Sequence, residues 1–243
     1  MDDGPAFVRE VAAFLDPQVR TVTADGVRLA HRVSGPEGAP PVVPVHGRGE
    51  NATTWDRIAA ELAADRRVYA VDLRGHGLSD RPGGYGFDAF RDELGGFLKA
   101  LGLIGATVVA HSMGAGAACL LAAREPGLIG GLVLEEPPVF LPLDPPRPPA
   151  VRPAGALGFD REIVPATDTQ LNDPEPSWCE GLSAITADTL VVAGGPAGHV
   201  PQDQLSRLAG SVPGARLLTI AAGHLVHTER PEEFLAALRE SGV

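Results

Sequence analysis

Five consecutive residues, Ala110-His111-Ser112-Met113-Gly114, carry the first chemical signal of this chain. A serine hydroxyl is a weak nucleophile at neutral pH and needs a neighbouring base to activate it. Ser112 follows an apolar run directly and opens an Ala-rich stretch, so it falls on a strand-to-helix turn. Such a turn exposes the Oγ when the residues at −2 and +2 are small, the usual pattern being G-x-S-x-G. Here Ala110 stands in place of the first glycine and is still small enough for the turn. The helix start after Ser112 also aims N–H groups and a positive dipole at any anion forming beside it. An ordinary serine N-cap would account for the same letters. The strand-and-helix context favours a nucleophile.

A base belongs late in the chain, after the acid. Residues 221–238 supply two imidazoles, His224 and His227, in a loop before the last helical stretch. His224 is preferred, because Gly223 before it puts the ring at a loop apex, free to reach Ser112. His227 lies nearer the helix start, where packing or loop hydrogen bonding is its expected duty. A metal on this pair is not expected, since no carboxylate or cysteine accompanies the two rings. Earlier, His46-Gly47 ends another apolar run. Its glycine lets the backbone turn closely, so the N–H of Arg48 is expected to face an oxyanion together with the N–H of Met113. Preorganised donors of this kind contribute roughly 3 kcal/mol or more each to a transition state. Asp72, Arg74 and His76, in the Gly-rich turn of 71–80, read as loop-organising groups.

The elements that must hold these residues alternate along the chain. Short Val/Leu-rich runs at 41–45, 67–71, 106–111, 131–135, 189–194 and 215–220 read as buried parallel strands, which need no polar alternation. Helical spacing occupies 52–64, 88–101, 113–124, 202–210 and 231–240. Asp25-Gly26, with alternating residues on both sides from Thr21 to Val33, predicts an antiparallel hairpin ahead of the parallel series. Alternating strands and helices make a doubly wound α/β sheet. The alternation breaks at 137–153, where eight prolines forbid a helix or a central strand. The segment 137–187 is therefore read as an insertion after the sixth strand, carrying short helices over the sheet ends. Its apolar residues, among them Phe159, Ile163, Leu171 and Trp178, favour a packed cap over a disordered linker. The first 18 residues are either an extra helix or a loose tail.

Bulk properties narrow the partners. A chain of 243 residues is long enough for one domain with a full core. Its net charge of −11 argues against nucleic acid and against anionic membrane surfaces, which attract clustered Lys and Arg. Cys119 and Cys179 make neither a disulfide framework nor a metal-ligand spacing. The acidic start MDDGPAFVRE is no secretory signal, and no segment is long and apolar enough to span a membrane. A cytoplasmic protein acting on a small molecule is expected, without cofactor, since no Gly-rich phosphate loop follows the first parallel strand.

Four motifs now stand in order: His46-Gly47, the run Asp72 to Asp80 (DLRGHGLSD), His111-Ser112-Met113-Gly114, and Gly223-His224 before Pro231. Together they resemble the α/β-hydrolase superfamily over nearly all of 20–242. The resemblance implies an eight-stranded, mostly parallel sheet, a cap after the sixth strand, and Ser112 and His224 in a catalytic triad. It does not imply one substrate, because the fold hosts many reactions. The acid is where the chain departs from the family. The commonest position follows the seventh strand, and there Ala197 stands in Gly194-Gly195-Pro196-Ala197-Gly198-His199. Asp203, further on, is poorly placed. Some members supply the acid at the end of the sixth strand, which here reads Glu135-Glu136-Pro137. Buried carboxylates need partners, and Glu136, last before the turning proline, is chosen over Glu135. Both could equally be solvated loop carboxylates. Phe140, Phe159 and Trp178 are candidates to line an apolar substrate pocket, or simply to hold the cap to the body. His199 is expected to play a structural part.

The function implied is a serine hydrolase that cleaves a small ester, lactone or thioester through an acyl-enzyme. Two other readings use the same scaffold: hydrolysis of C–C bonds or natural-product cyclisation, and a non-catalytic small-molecule binding module.

Overall fold

A computed structural model describes residues 17–141, 145–149 and 157–243. The first sixteen positions, and with them most of the expected tail or extra helix, lie outside the described residues. Eight strands form one sheet in the order β1-β2-β4-β3-β5-β6-β7-β8. β1 (Gln18–Ala24) and β2 (Val27–Ser34) make the antiparallel hairpin, and β2 also runs antiparallel to β4 (Arg67–Val71). Asp25 and Gly26 turn between them with φ of 47° and 79°, the left-handed pair that a two-residue hairpin loop requires. The rest is parallel: β3 (Pro41–Val45), β5 (Ala106–His111), β6 (Ile129–Glu135), β7 (Asp188–Ala193) and β8 (Arg216–Thr219).

The apolar runs bury both faces. Along β5, Val108 and Ala110 join one core cluster and Val109 joins another, as alternating side chains must. Helices α1 (Asp56–Leu62), α2 (Phe87–Ala100), α3 (Ser112–Arg124), α4 (Ile163–Asn172), α5 (Pro176–Glu180), α6 (Gln202–Ser211), α7 (Val226–Glu229) and α8 (Pro231–Glu240) follow in chain order. The first cluster takes Phe90, Leu94 and Phe97 of α2, Leu121 of α3 and Leu208 of α6. The second takes Ile58 and Leu62 of α1 and Phe234 and Leu238 of α8 around Trp55. Helices on both faces make the sheet doubly wound.

Strand order reverses between β3 and β5, which are neighbours although β4 lies between them in sequence. Chain segments leaving the carboxyl ends of strands diverge at such a point and leave a crevice. Register puts the crevice residues level: Val45 pairs with Ala110, His111 with Glu135, and Glu135 with Val192. One step beyond those pairs come His46, Ser112, Glu136 and the 194–200 loop. Between β6 and β7 the described residues form α4, α5 and a short 3-10 turn at Gly181–Ala184. Residues 142–144 and 150–156 of the expected insertion lie outside the described residues.

Candidate active site

Ser112 sits at the junction of β5 and α3 with φ of 49°, a left-handed backbone that a non-glycine residue rarely adopts. Such a conformation costs about 1–3 kcal/mol and persists only where the surroundings enforce it. The surroundings are close. A side chain at Gly114 would collide with the His46 carbonyl oxygen and with Val45, so glycine there lets α3 start tight against the end of β3. Ala110 is fully buried. The second strained residue of this rim is Glu136, with φ of 45°, directly after β6.

His224 joins the two. Its Nε2 lies 3.0 Å from the Ser112 Oγ, and its Nδ1 lies 3.4 Å from Oε2 of Glu136. With the proton on Nδ1 the ring donates to Glu136 and accepts from the serine hydroxyl. Glu136 is wholly buried, and the loop after β7 wraps it. Its Oε1 accepts the N–H of Gly194 at 2.6 Å, and Oε2 accepts those of His199 at 2.9 Å and Val200 at 3.3 Å. A Cβ on Gly198 would come within 2.7 Å of the carboxylate, so glycine is what admits it. Burial alone would raise the Glu136 pKa. The hydrogen bonds from His224, Gly194 and Val200 outweigh it and hold the group below its ordinary value, as a carboxylate. The loop that has Ala197 where an acid was expected is thus the cradle of an acid from the neighbouring strand.

Glu135, the alternative, points elsewhere. Its Oε2 meets Nδ1 of His227 at 2.7 Å and its Oε1 accepts the His227 N–H at 3.0 Å, with both side chains wholly buried. His227 in turn bonds Thr54 Oγ1 through Nε2 at 2.9 Å and stacks on Trp55 at 4.1 Å between centroids. This pair fastens α7 to the segment after β3.

The loop 46–50 is tied down from below. His46 is buried and neutral, its pKa lowered to about 4 chiefly by burial. Its Nδ1 donates to the Gly47 carbonyl and its Nε2 accepts the Leu73 N–H. His76 likewise accepts the Gly49 N–H, and Asp72 accepts the N–H groups of Ala52 and Leu78. Arg74 pairs with Glu93 and bonds the Gly83 and Gly84 carbonyls. His111 and Glu50 add a tie that the sequence did not reveal. Glu50 Oε2 bonds His111 Nδ1 at 3.0 Å and accepts the Gly47 N–H at 2.7 Å, while His111 Nε2 bonds the His224 carbonyl at 3.0 Å. Burial opposes charge on His111. The hydrogen bond to Glu50 and the charges of Glu135 and Glu50 outweigh it, raising the His111 pKa. Burial would raise the Glu50 pKa, but its bond to His111 takes it down to about 2.

A cavity of about 220 Å³ opens beside Ser112. Arg48, Met113, Glu136 and His224 line it with Ser112, and its apolar wall comes from Phe87, Pro138, Leu171 and Val200. The expected apolar lining needs correction here. Phe140 and Trp178 are buried one layer out, packed edge-on against Phe87 at 5.4 and 5.8 Å, and so hold the 137–187 segment to α2. Phe159 stacks on His76 at 5.6 Å and packs over Gly49. All three went to fill gaps between elements, which large apolar rings do whenever such gaps exist. His199 departs from its expected part in the other direction. It lines the cavity, and its ring stacks on His224 at 4.0 Å with 17° between planes. Its place in the loop lacking the acid was the only sequence signal. Arg147 and Thr167 of the cavity wall come from the Pro-rich segment and α4, where no pattern marks them, and Leu171 stands out only as apolar content.

With this geometry in view, comparison with known proteins decides the family. A profile described as the alpha/beta hydrolase fold matches residues 40–184, more than half of the chain. The chain belongs to the α/β-hydrolase family. It is 38% identical over 120 residues to 2-hydroxymuconate semialdehyde hydrolase of Pseudomonas sp. strain CF600, covering 47% of this α/β-hydrolase chain and 42% of that one. Similarity to the sn-1-specific diacylglycerol lipase of Mus musculus is lower, 26% over 251 residues, but extends over 85% of this chain and 82% of that one. Among solved structures, a thermophilic esterase from Thermogutta terrifontis superposes with a TM-score of 0.77 at 25% identity, covering 92% of this chain and 97% of that chain. This α/β hydrolase aligns with well under half the length of several curated relatives that it matches. No helix among its described residues is long and apolar enough to cross a membrane.

Proposed function

We propose that this protein is a serine hydrolase that cleaves a small ester, lactone or thioester through an acyl-enzyme. The contact of His224 Nε2 with the Oγ of a conformationally strained Ser112, 3.0 Å, carries the reading. His224 takes the hydroxyl proton while Ser112 Oγ attacks the acyl carbon. The N–H groups of Arg48 and Met113, both on the cavity wall, hold the developing oxyanion. Glu136 keeps the imidazole in the tautomer that accepts from serine and stabilises the imidazolium that forms. The proton then passes to the departing alcohol or thiol. Water, deprotonated by the same imidazole, releases the acid. The family and the relatives named esterase and lipase support this reading. In it, 137–187 acts as a cap whose α4 roofs the cavity, and the protein works without metal or cofactor.

The test is product analysis on a panel of short-chain aryl esters, lactones and acyl thioesters. An acid plus an alcohol or thiol, lost on Ser112→Ala, is the expected outcome. A product of unchanged mass, or a broken C–C bond from a diketone panel with no ester turnover, would replace this reading by the corresponding other chemistry. Small-molecule binding that survives Ser112→Ala, with no turnover by wild type, would make the site a binding module.

A further inference from the structure

The geometry points to a carboxylate-recognition subsite inside the cavity, made by Arg48 and Arg147, so that the substrate is an ester, lactone or thioester whose acyl part carries a second, free carboxylate. This rests on the hydrolase reading and narrows its substrate class. Two guanidiniums from distant segments, the loop after β3 and the Pro-rich segment after β6, converge on one carboxylate oxygen. Oδ1 of Asp168 on α4 lies 2.7 Å from Arg48 Nη1 and 3.1 Å from Arg147 Nη1. Arg48 Nη1 also bonds the buried Thr167 Oγ1 at 3.0 Å, and the Arg147 backbone is clasped by Asn172, which accepts its N–H and donates to its carbonyl. Both arginines line the cavity together with Ser112 and His224.

Charge is what makes the arrangement informative. Two positive groups share one negative partner, Asp168, and the carboxylate that lines the cavity, Glu136, is turned to His224 and its N–H cradle. Among the described residues the pair therefore carries one uncompensated positive charge, in a protein whose net charge is −11. Holding two guanidiniums against each other is costly without an anion between them. The contacts to Asp168 engage only Nη1 of each, and a guanidinium has five donors in a planar fork suited to a carboxylate. The open depression on the other side of Ser112 and His224 is lined by Glu50 and Glu229 and shares Arg48, but not Arg147, with the cavity. An acyl carboxylate can meet both arginines only on the cavity side.

The experiment compares kcat/KM for 4-nitrophenyl hydrogen glutarate and 4-nitrophenyl butyrate, which share the leaving group and differ by the terminal carboxylate. Wild type is expected to favour the glutarate ester by roughly ten- to a hundredfold, the range of a hydrogen bond to a charged group. Arg147→Gln should remove most of that ratio, and Asp168→Asn, which frees a further positive charge, should raise it. Added salt should shrink the wild-type ratio. A separate arm titrates glutarate into Ser112→Ala by calorimetry, with and without Arg147→Gln. Binding that needs Arg147 upholds the subsite even if neither ester turns over, a result that would count against the hydrolase reading alone. A wild-type ratio near one, unmoved by Arg147→Gln and Asp168→Asn, or no glutarate binding to Ser112→Ala, would overturn the subsite and leave the arginines as a latch between α4 and the 46–50 loop.

Discussion

Two acid–histidine pairs stand side by side at the carboxyl end of β6, built from consecutive residues and facing opposite ways. Glu135 still belongs to the strand, and its wholly buried pair with His227 ends in Thr54 and Trp55. Glu136 has left the strand with a left-handed backbone, and its partner His224 is a fifth exposed and reaches Ser112. The chemistry of the two pairs is alike. What differs is where the second imidazole nitrogen points: into packed protein in one case, at a strained hydroxyl beside a cavity in the other. The proposed catalytic role rests on that direction and not on the pair itself, which is why charge pairing alone makes a weak sign of function.

Substitutions along the two pairs should separate these roles. The largest effect belongs to His224→Ala, with a loss of about 10⁴-fold or more in kcat and little change in melting temperature. Glu136→Gln should lose roughly 10³- to 10⁴-fold, because an amide no longer fixes the tautomer that accepts from Ser112. Both are read by steady-state kinetics next to thermal unfolding. In the other pair the pattern inverts. Glu135→Gln or His227→Ala breaks a buried pair and should destabilise by about 3 kcal/mol or more, while the folded fraction keeps its kcat within a few-fold. Equal kinetic losses from both pairs would erase the distinction.

Much of this was legible beforehand. β3, β4 and β5 match their apolar runs, and the Asp25-Gly26 turn announced the hairpin. Ser112 and His224, which the structure brings within 3.0 Å, stand out in the sequence because each lies where one element changes into another. The choice between Glu135 and Glu136 rested only on the proline after it, and the structure gives each its own histidine. What could not be read was set by contacts between distant segments. Glu50 meets His111 across 61 positions and Arg48 meets Asp168 across 120, and no local period encodes either. Phe140, Phe159 and Trp178 show the complementary failure: apolar content marks burial but not which surface is covered.

A subtler effect concerns the tie beneath the site. His111 has a raised pKa, so its contribution is complete below its unfolded value and fades as pH rises through the folded one. Glu50, lowered to about 2, contributes above its unfolded value and loses that contribution as pH falls toward 2. The ion pair that links the 46–50 loop to the His224 carbonyl is thus intact between those limits. Glu50→Gln should move the alkaline limb of the kcat/KM profile to lower pH. An unmoved limb would make the tie irrelevant to activity. The smallest expected change is Gly198→Ala, whose added methyl meets the Glu136 carboxylate. It should lower kcat by about tenfold, the scale of a mildly displaced catalytic group, and leave the Glu135 pair untouched.

In the proposed mechanism His224, held by Glu136, activates Ser112. Intact mass after treatment with a fluorophosphonate probe tests it most directly, on wild type, Ser112→Ala, His224→Ala and His227→Ala. A single adduct is expected on wild type and on folded His227→Ala, and none on Ser112→Ala or His224→Ala within the same time. An adduct on Ser112→Ala, or labelling of His224→Ala as fast as wild type, would contradict it.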